Sequence, residues 1–413
     1  MKTKLIAASL FTLTAGVVLA YPVIEGKLMQ TVQIEPSVIQ QPLIEPIRVP
    51  IIDPLIGQAP KIEVVFVLDT TGSMGGMIGA AKEKIWSIAT TMASAQSSPE
   101  IKMGLVAYRD RGDAYVTRTI DLSSDLDSMY ASLMDFSAGG GGDGPESVNQ
   151  ALYDAIHNMT WSQDASTYRV IFLIGDAPAH MDYQDDVKYP VSLAAARQKG
   201  IIVNTIQCGE DIGARHNWLQ VASLGNGDYF QVEQAGSAIA IATPFDKTLA
   251  ELSVALNDTR MVFGNAEEQQ AMVLKGHAID KLYREASVSA LARRASFNAT
   301  SSGEKNFLGD NELVHAVTAG KVDLEAMDEA DLPASLQAMD LDERKKTVAL
   351  AARERREIQD QIAVLSRDRS DFLKQKVAEA GGGKDSLDEK IYQAVKAQAA
   401  AVGLNYEAES AEY

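Results

Sequence analysis

Cysteine is all but missing from this 413-residue chain: Cys208 stands alone, so no intramolecular disulfide can form. It lies in the strand-like run Ile201-Ile202-Val203-Asn204-Thr205-Ile206-Gln207-Cys208 and reads as a buried small hydrophobe rather than a nucleophile. Histidine is scarce too. His157, His180, His216, His277 and His315 are the full set, and no two have the spacing of a metal-ligand pair. Positive charge is in deficit, with 38 Lys and Arg against 56 Asp and Glu and a net charge of −18. That balance disfavours nucleic acid or an anionic membrane surface as partner. After the first twenty residues no apolar run is long enough to span a bilayer.

Those first residues have a pattern of their own. Lys2 and Lys4 precede an apolar stretch from Leu5 to Leu19, and Val18-Leu19-Ala20 offers small residues at a cleavage point before Tyr21. The pattern is that of a secretory signal peptide over 1–20. No cysteine follows the cleavage point, which excludes a lipoprotein anchor, and the expected destination is a bacterial periplasm or the exterior. Residues 21–60 are punctuated by Pro22, Pro36, Pro42, Pro46, Pro50, Pro54 and Pro60. Prolines at that density deny the segment a helix or a central strand, so an irregular N-terminal arm is expected.

From 61 to 263 strand and helix patterns alternate. Strands are expected near 63–69, 102–108, 115–121, 169–175, 201–208 and 228–232, with helices near 74–93, 124–135, 146–159, 189–199, 214–224 and 236–257. Only the short Arg111-Gly112-Asp113 turn separates the second and third strands, so that pair must be antiparallel. The other connections are long enough for right-handed crossovers. The alternation therefore points to an α/β fold with a mostly parallel six-stranded sheet and one antiparallel strand. Residues 264–413 carry no convincing strand and form an all-helical C-terminal region. Val348, Ala351, Ile358, Ile362, Leu365 and Phe372 make a heptad-like, coiled-coil-type seam interrupted by Arg355 and Arg369. The expected use is an antiparallel helical hairpin that stops at Gly381-Gly382-Gly383 and returns from about Leu387 to Val402. Helices with such a broken seam are expected to fold back on themselves or on the preceding sheet domain, the arginine stems covering apolar surface while their heads reach water. Residues 58–263 are expected to fold and bind metal alone.

The most informative pentad is Asp69-Thr70-Thr71-Gly72-Ser73, directly after the apolar run Val64 to Leu68. A carboxylate at a strand end, followed by hydroxyls at alternate positions, lets Asp69, Thr71 and Ser73 point at one cation. Oxygen-only ligands suit Mg²⁺ or Mn²⁺ rather than zinc. A second stretch, Gly139-Gly140-Gly141-Gly142-Asp143-Gly144-Pro145-Glu146, opens a helical pattern. Pro145 and Glu146 fit that helix's first turn. A third, Gly175-Asp176-Ala177-Pro178, follows another buried-strand run, placing Asp176 at the edge where open α/β sheets bind ligands.

The pentad resembles the metal-ion-dependent adhesion site (MIDAS) of von Willebrand factor A (vWA) domains. In that family the second loop usually supplies a threonine and the third an aspartate. Gly-Gly-Asp-Gly-Pro-Glu resembles a subgroup whose second-loop ligand is an aspartate. The resemblance thus implies a metal set of Asp69, Thr71, Ser73, Asp143 and Asp176, with Tyr108-Arg109-Asp110 as further support. It also implies that the α/β sheet is doubly wound, mostly parallel and six-stranded, with the antiparallel strand at its edge. Three carboxylates around one divalent ion would repel one another when it is absent, so at least one pKa should rise.

Three functions remain open on these residues. The first is an exported, Mg²⁺- or Mn²⁺-dependent module binding another protein or a cell-surface component, with no catalytic residue. The second is a hydrolase in which a metal-activated water attacks a phosphate or ester, which would need a base near the metal. The third is a structural protein whose metal only holds the loops. His180 is the one histidine near a ligand loop, and the plainer expectation for it is a solvated loop side chain. Arg109 and Asp110 could brace the site or serve only as an ion-paired structural element.

Overall fold

The computed structural model describes residues 60–142, 144–236, 241–379, 383 and 385–411. The signal-peptide and proline-arm expectations, and the ligand expected at Asp143, therefore lie outside the described residues. The strands are β1 (Lys61–Asp69), β2 (Glu100–Tyr108), β3 (Thr117–Ser123), β4 (Thr167–Gly175), β5 (Ile201–Cys208) and β6 (Asn226–Val232). They form one sheet in the order β3-β2-β1-β4-β5-β6, parallel throughout except for β2 with β3. The mostly parallel, doubly wound sheet with an antiparallel edge strand is the one expected.

The chain builds outward from β1 to one side and then returns to β4 on its other side. Strand order reverses there, and Leu68 pairs with Ile174, so the ends of β1 and β4 lie side by side. The central strands are buried on both faces, which is why they read as continuous apolar runs. One face carries Ile62, Val64, Phe66 and Leu68 against α1 (Gly75–Ala93) and α2 (Leu126–Met134). The other carries Val65 and Val67 against α3 (Val148–His157), α4 (Tyr189–Gln198) and α5 (Ile212–Leu224).

Two boundaries move for physical reasons. The edge strand begins at Thr117 rather than 115, because Tyr115 is held otherwise. Its hydroxyl meets Thr70 Oγ1 at 2.7 Å, and its ring lies between the guanidiniums of Arg109 and Arg118, at 4.6 and 4.3 Å. The helix expected from 236 is α6 (Asp246–Asp258), which starts after Pro244; a helix through that residue would lose a hydrogen bond.

The C-terminal region is helical: α7 (Ala266–Glu285), α8 (Val288–Asn298), α9 (Glu304–Leu308), α10 (Leu313–Thr318), α11 (Ala334–Gln337), α12 (Leu341–Glu379) and α13 (Leu387–Ala399). An Asn265/Glu268 capping box starts α7. The hairpin is not what these helices build. Leu387, Ile391, Tyr392 and Val395 of α13 join the sheet core with Phe66 and Phe172, whereas α12 buries Ile358 and Ile362 with α6, and Val348 and Ala351 with α10. The seam is thus one face of a long helix shared among several small cores, not a coiled coil.

Nor do its arginines reach water. Arg355 is buried and bidentate on Glu312, at 2.8 and 2.9 Å, and donates to the Thr259 carbonyl at 2.8 Å. Arg369 is buried on Asp246 at 2.7 Å. Arg294 of α8 forks onto Asp127 of α2 at 2.5 and 2.7 Å. Lys84 of α1 meets Asp388 of α13 at 2.6 Å, both side chains essentially without solvent exposure. Planar guanidinium forks suit such desolvated pairing. The expectation that 58–263 folds alone gives way to its opposite, since that fragment would bare the sheet face under α13. A 58–263 fragment should aggregate or expose dye-binding apolar surface, while Ile391→Ala in the full chain should cost about 2–5 kcal/mol in urea denaturation. A monomeric, cooperatively melting fragment would contradict this packing.

Candidate metal-binding rim

At the strand-order reversal, Asp69 ends β1 with no solvent exposure. One carboxylate oxygen, Oδ1, accepts from the Thr71 backbone N–H at 2.8 Å and from Thr71 Oγ1 at 2.7 Å. The other, Oδ2, is buried without a hydrogen-bond partner among the described residues. Ser73 Oγ stands 3.5 Å from Thr71 Oγ1 on the exposed turn. Asp176, one residue past β4, is half-buried, and its Oδ2 accepts from Gln234 Nε2 at 2.5 Å; the same nitrogen lies 3.4 Å from the Ser73 carbonyl. Thr71, Ser73 and Asp176 line one open cleft of about 500 Å³, together with Gly140, Gly141, Glu146 and Asp211. Among the described residues, no three Asp, Glu, His or Cys are grouped to hold a metal ion. Of the five expected ligands, only Asp69 and Asp176 are described carboxylates, Thr71 and Ser73 being hydroxyls.

The glycine loop is laced to this rim. Gly72 N–H donates to the Gly140 carbonyl at 3.2 Å and Gly139 N–H to Thr70 at 3.1 Å. Gly141 has φ +75°, and a Cβ there would meet both Glu146 Oε1 and Thr71 Cβ at 3.0 Å. At Gly175 a Cβ would fall 2.4 Å from the Tyr108 hydroxyl and 3.1 Å from Asp69 Cβ, so only glycine lets β4 run this close to the aspartate.

Glu146 corrects the sequence reading. Helix α3 begins at Val148, so Pro145 and Glu146 precede it, and Glu146 instead bridges to Ala179 beside the third loop. Its side chain is buried, and Oε2 has no hydrogen-bond partner among the described residues. Its backbone N–H donates to Pro178 at 2.8 Å and its carbonyl accepts from His180 at 3.0 Å. An acid just after a glycine run could have signalled burial in the site, but the neighbouring proline gave the helix-start pattern. Gln234, which clamps Asp176, sits after β6 with no pattern to betray it.

His180 is buried rather than solvated. Its Nδ1 lies 2.8 Å from Asp182, its Nε2 is 3.4 Å from Asp110, and its ring stacks on Tyr183 at 4.0 Å. Asp110 also accepts from Ser147 Oγ at 2.9 Å and from the Tyr183 hydroxyl. Arg109 donates to Thr70 O at 3.1 Å and Ser137 O at 2.7 Å. Arg109 and Asp110 therefore brace the loops. Cys208 is buried, and burial holds its thiol well above the ordinary range.

Burial also raises the Asp69 carboxyl from 3.8 to about 7, opposed by the Thr71 hydrogen bonds and helped by the Asp176 charge. Glu146 is raised from 4.5 to about 9 by burial and then by Asp69, Asp110, Asp113 and Asp176. The expected rise is present, but desolvation leads and mutual repulsion follows.

A family model described as von Willebrand factor A domain matches residues 63–243. Residues 63–243 thus match a vWA domain. Among curated proteins, alpha-protein kinase vwkA of Dictyostelium discoideum is 31% identical over 121 residues, 29% of this chain and 19% of that protein. The von Willebrand factor A domain-containing protein 7 of Rattus norvegicus is 39% identical over 98 residues, 24% of this chain and 10% of the relative. The chain thus spans a fifth or less of the curated relatives named here. Among solved structures, mussel-byssus proximal thread matrix protein 1, in a form with a zinc-occupied MIDAS motif, is similar with a TM-score of 0.34 and 14% identity, covering 43% of this chain and 42% of that one. The SpRpn10 VWA domain matches at a TM-score of 0.33 and 14% identity, covering 43% of this chain and 91% of that one.

The raised acids fix a pH dependence for the metal-free protein. Between pH 4 and 9 the folded state holds protons the unfolded chain has released, so stability should fall as pH rises, first through Asp69 near 7 and then Glu146 near 9. Below about pH 4 the contribution is fully present. In chelator, Asp69→Asn should flatten the lower part of this decline and stabilise the protein at pH 8, by urea denaturation. A wild-type stability rising from pH 5 to 8 would contradict the geometry.

Proposed function

We propose that the vWA rim is a Mg²⁺- or Mn²⁺-dependent binding site for another protein or a cell-surface component, on an exported protein. The observation that carries this reading is Asp69 Oδ2, a buried carboxylate oxygen without a hydrogen-bond partner among the described residues, beside a cleft lined by Thr71, Ser73 and Asp176. A buried anion of this kind is costly unless a cation or a proton satisfies it. Asp69, Thr71, Ser73, Asp143 and Asp176 would hold the ion, which supplies an electrophilic point for an oxygen ligand of the partner. An aspartate where the family commonly has threonine would strengthen cation affinity and lessen that electrophilicity. Export rests on the N-terminal sequence pattern.

Binding is favoured over hydrolysis by the state of His180. Its ring is engaged by Asp182 and Tyr183 and faces Asp110, so it serves as a brace and does not offer a free base at the rim. A purely structural metal would leave partner capture indifferent to chelation.

Calorimetry on chelated protein should show one Mg²⁺ or Mn²⁺ site, absent in Asp69→Ala and Asp176→Ala and weakened in Asp143→Thr. At a hundredfold excess over Kd the metal should add about 2.7 kcal/mol to folding stability. Equal binding by wild type and both alanine variants would sink the assignment. Unchanged affinity in Asp143→Thr would remove Asp143 alone from the site.

A further inference from the structure

A second, chemically opposite site lies where α1, α8 and α12 meet. A cavity of about 320 Å³ is lined by Arg293, Arg367, Arg369 and Lys374, with Ser87, Ser296 and Ser366 among its hydroxyls. In a chain of net charge −18, that concentration of cations is out of character. Asp371 is the one carboxylate in the lining, and it is exposed at the rim.

Two buried donors there lack a partner among the described residues: Ser87 Oγ and Arg293 Nε. The Ser87 and Arg293 side chains are each 3% exposed. Arg293 donates from Nη1 to Ser289 Oγ at 3.2 Å, and its nearest carboxylate, Glu83, stands 3.9 Å away. Burial, and then the Arg369 charge, hold this guanidinium below its ordinary range, against the charges of Asp388, Glu83 and Asp246. Arg369 is paired with Asp246, while Arg367 and Lys374 are exposed at the mouth and make no ion pair among the described residues. Buried donors without acceptors cost free energy that an oxyanion accepting from several of them would recover.

We propose that this cavity binds a multiply charged oxyanion of the phosphate class, free or as a phosphomonoester, with Arg293 and Ser87 at its floor and Arg367 and Lys374 at its mouth. The cavity exceeds what a bare oxyanion needs, which leaves room for the group that carries it. The ligand would sit between the sheet-covering α1 and α12, cross-linking the two by charge-assisted hydrogen bonds.

The test uses the full chain in chelator, so that the metal rim plays no part. Inorganic phosphate and glucose 6-phosphate are titrated by calorimetry and thermal melting, against chloride at matched ionic strength. The expected result is one saturable site. It should weaken about tenfold or more in Arg367→Ala and in Lys374→Ala, the loss that deleting one charge-assisted hydrogen bond produces. Asp371→Asn, which removes the rim carboxylate, should tighten it. Tighter binding of the sugar phosphate identifies a phosphomonoester ligand, and equal binding identifies the free oxyanion; either supports the site. No response beyond chloride, as when water alone fills the cavity, overturns it. So does equal binding by wild type and both mouth variants, and these exposed positions leave the fold intact.

Discussion

A carboxylate stripped of water at the point where strand order reverses governs the architecture of the binding face. Asp69 cannot be solvated, because β1 lies between β2 and β4 and its end is closed by Tyr108 and the glycine loop. One oxygen is saturated by Thr71, and the other has no hydrogen-bond partner among the described residues. The surrounding geometry serves that imbalance. Gly175 lets β4 approach, Gly141 lets the second loop approach, and Arg109 pins the Thr70 carbonyl from behind. A site built this way is unfavourable when empty and ionised, and the raised Asp69 and Glu146 pKa values express that cost as retained protons. On the proposed reading divalent metal and protons would compete for the same carboxylates, and the metal-free rim is stabilised by acid.

The second constraint is that the sheet needs two helical layers and the vWA segment completes only one of them. On the face of α1 and α2, the apolar rows of β1 and β4 are finished by α13, nearly at the end of the chain. Long-range pairs then fix the docking: Lys84 with Asp388, Arg294 with Asp127, Arg369 with Asp246 and Arg355 with Glu312. Buried pairs of this kind add little net stability over apolar contacts. Breaking one partner, however, leaves an uncompensated charge costing several kcal/mol. They make the helical region specific in its placement, which packing of alanine-rich helices alone would not ensure.

The sheet was legible because its physics is local. Val64 to Leu68 and Val170 to Ile174 are unbroken apolar runs ending in glycine or acid, and the three-residue turn after Asp110 permits no crossover. The placement of Asp69, Thr71, Ser73 and Asp176 at or just past the strand ends was legible for the same reason. What escaped depends on distant partners. Glu146 looked like a helix-start acid until Ala179 and Gly141 closed over it. Gln234 meets Asp176 only because β6 ends beside β4's loop. Arg355 and Arg369 looked like interruptions of a seam, since nothing within α12 announces Glu312 or Asp246. A charged residue in an apolar stripe reads as a defect from sequence and as a rivet once its partner is known.

Helix α1 joins these two constraints. It starts at Gly75, two residues beyond the rim hydroxyl of Ser73, and the same helix carries Lys84 to Asp388, Trp86 to Phe297 and Ser87 to the basic cavity. Gly75 and Ser87 are about 18 Å apart along a straight helix. A packed helix of this length moves as a unit, so a displacement of its first turn would be carried to the α8 and α12 contacts rather than absorbed between them. Linkage requires that any such coupling be reciprocal: the proposed oxyanion clamping α1 against α12 would change affinity for the proposed cation at the rim by the same factor that the cation changes the clamp. The C-terminal helices thus complete the core and also hold the far end of the helix on which the rim loop is mounted.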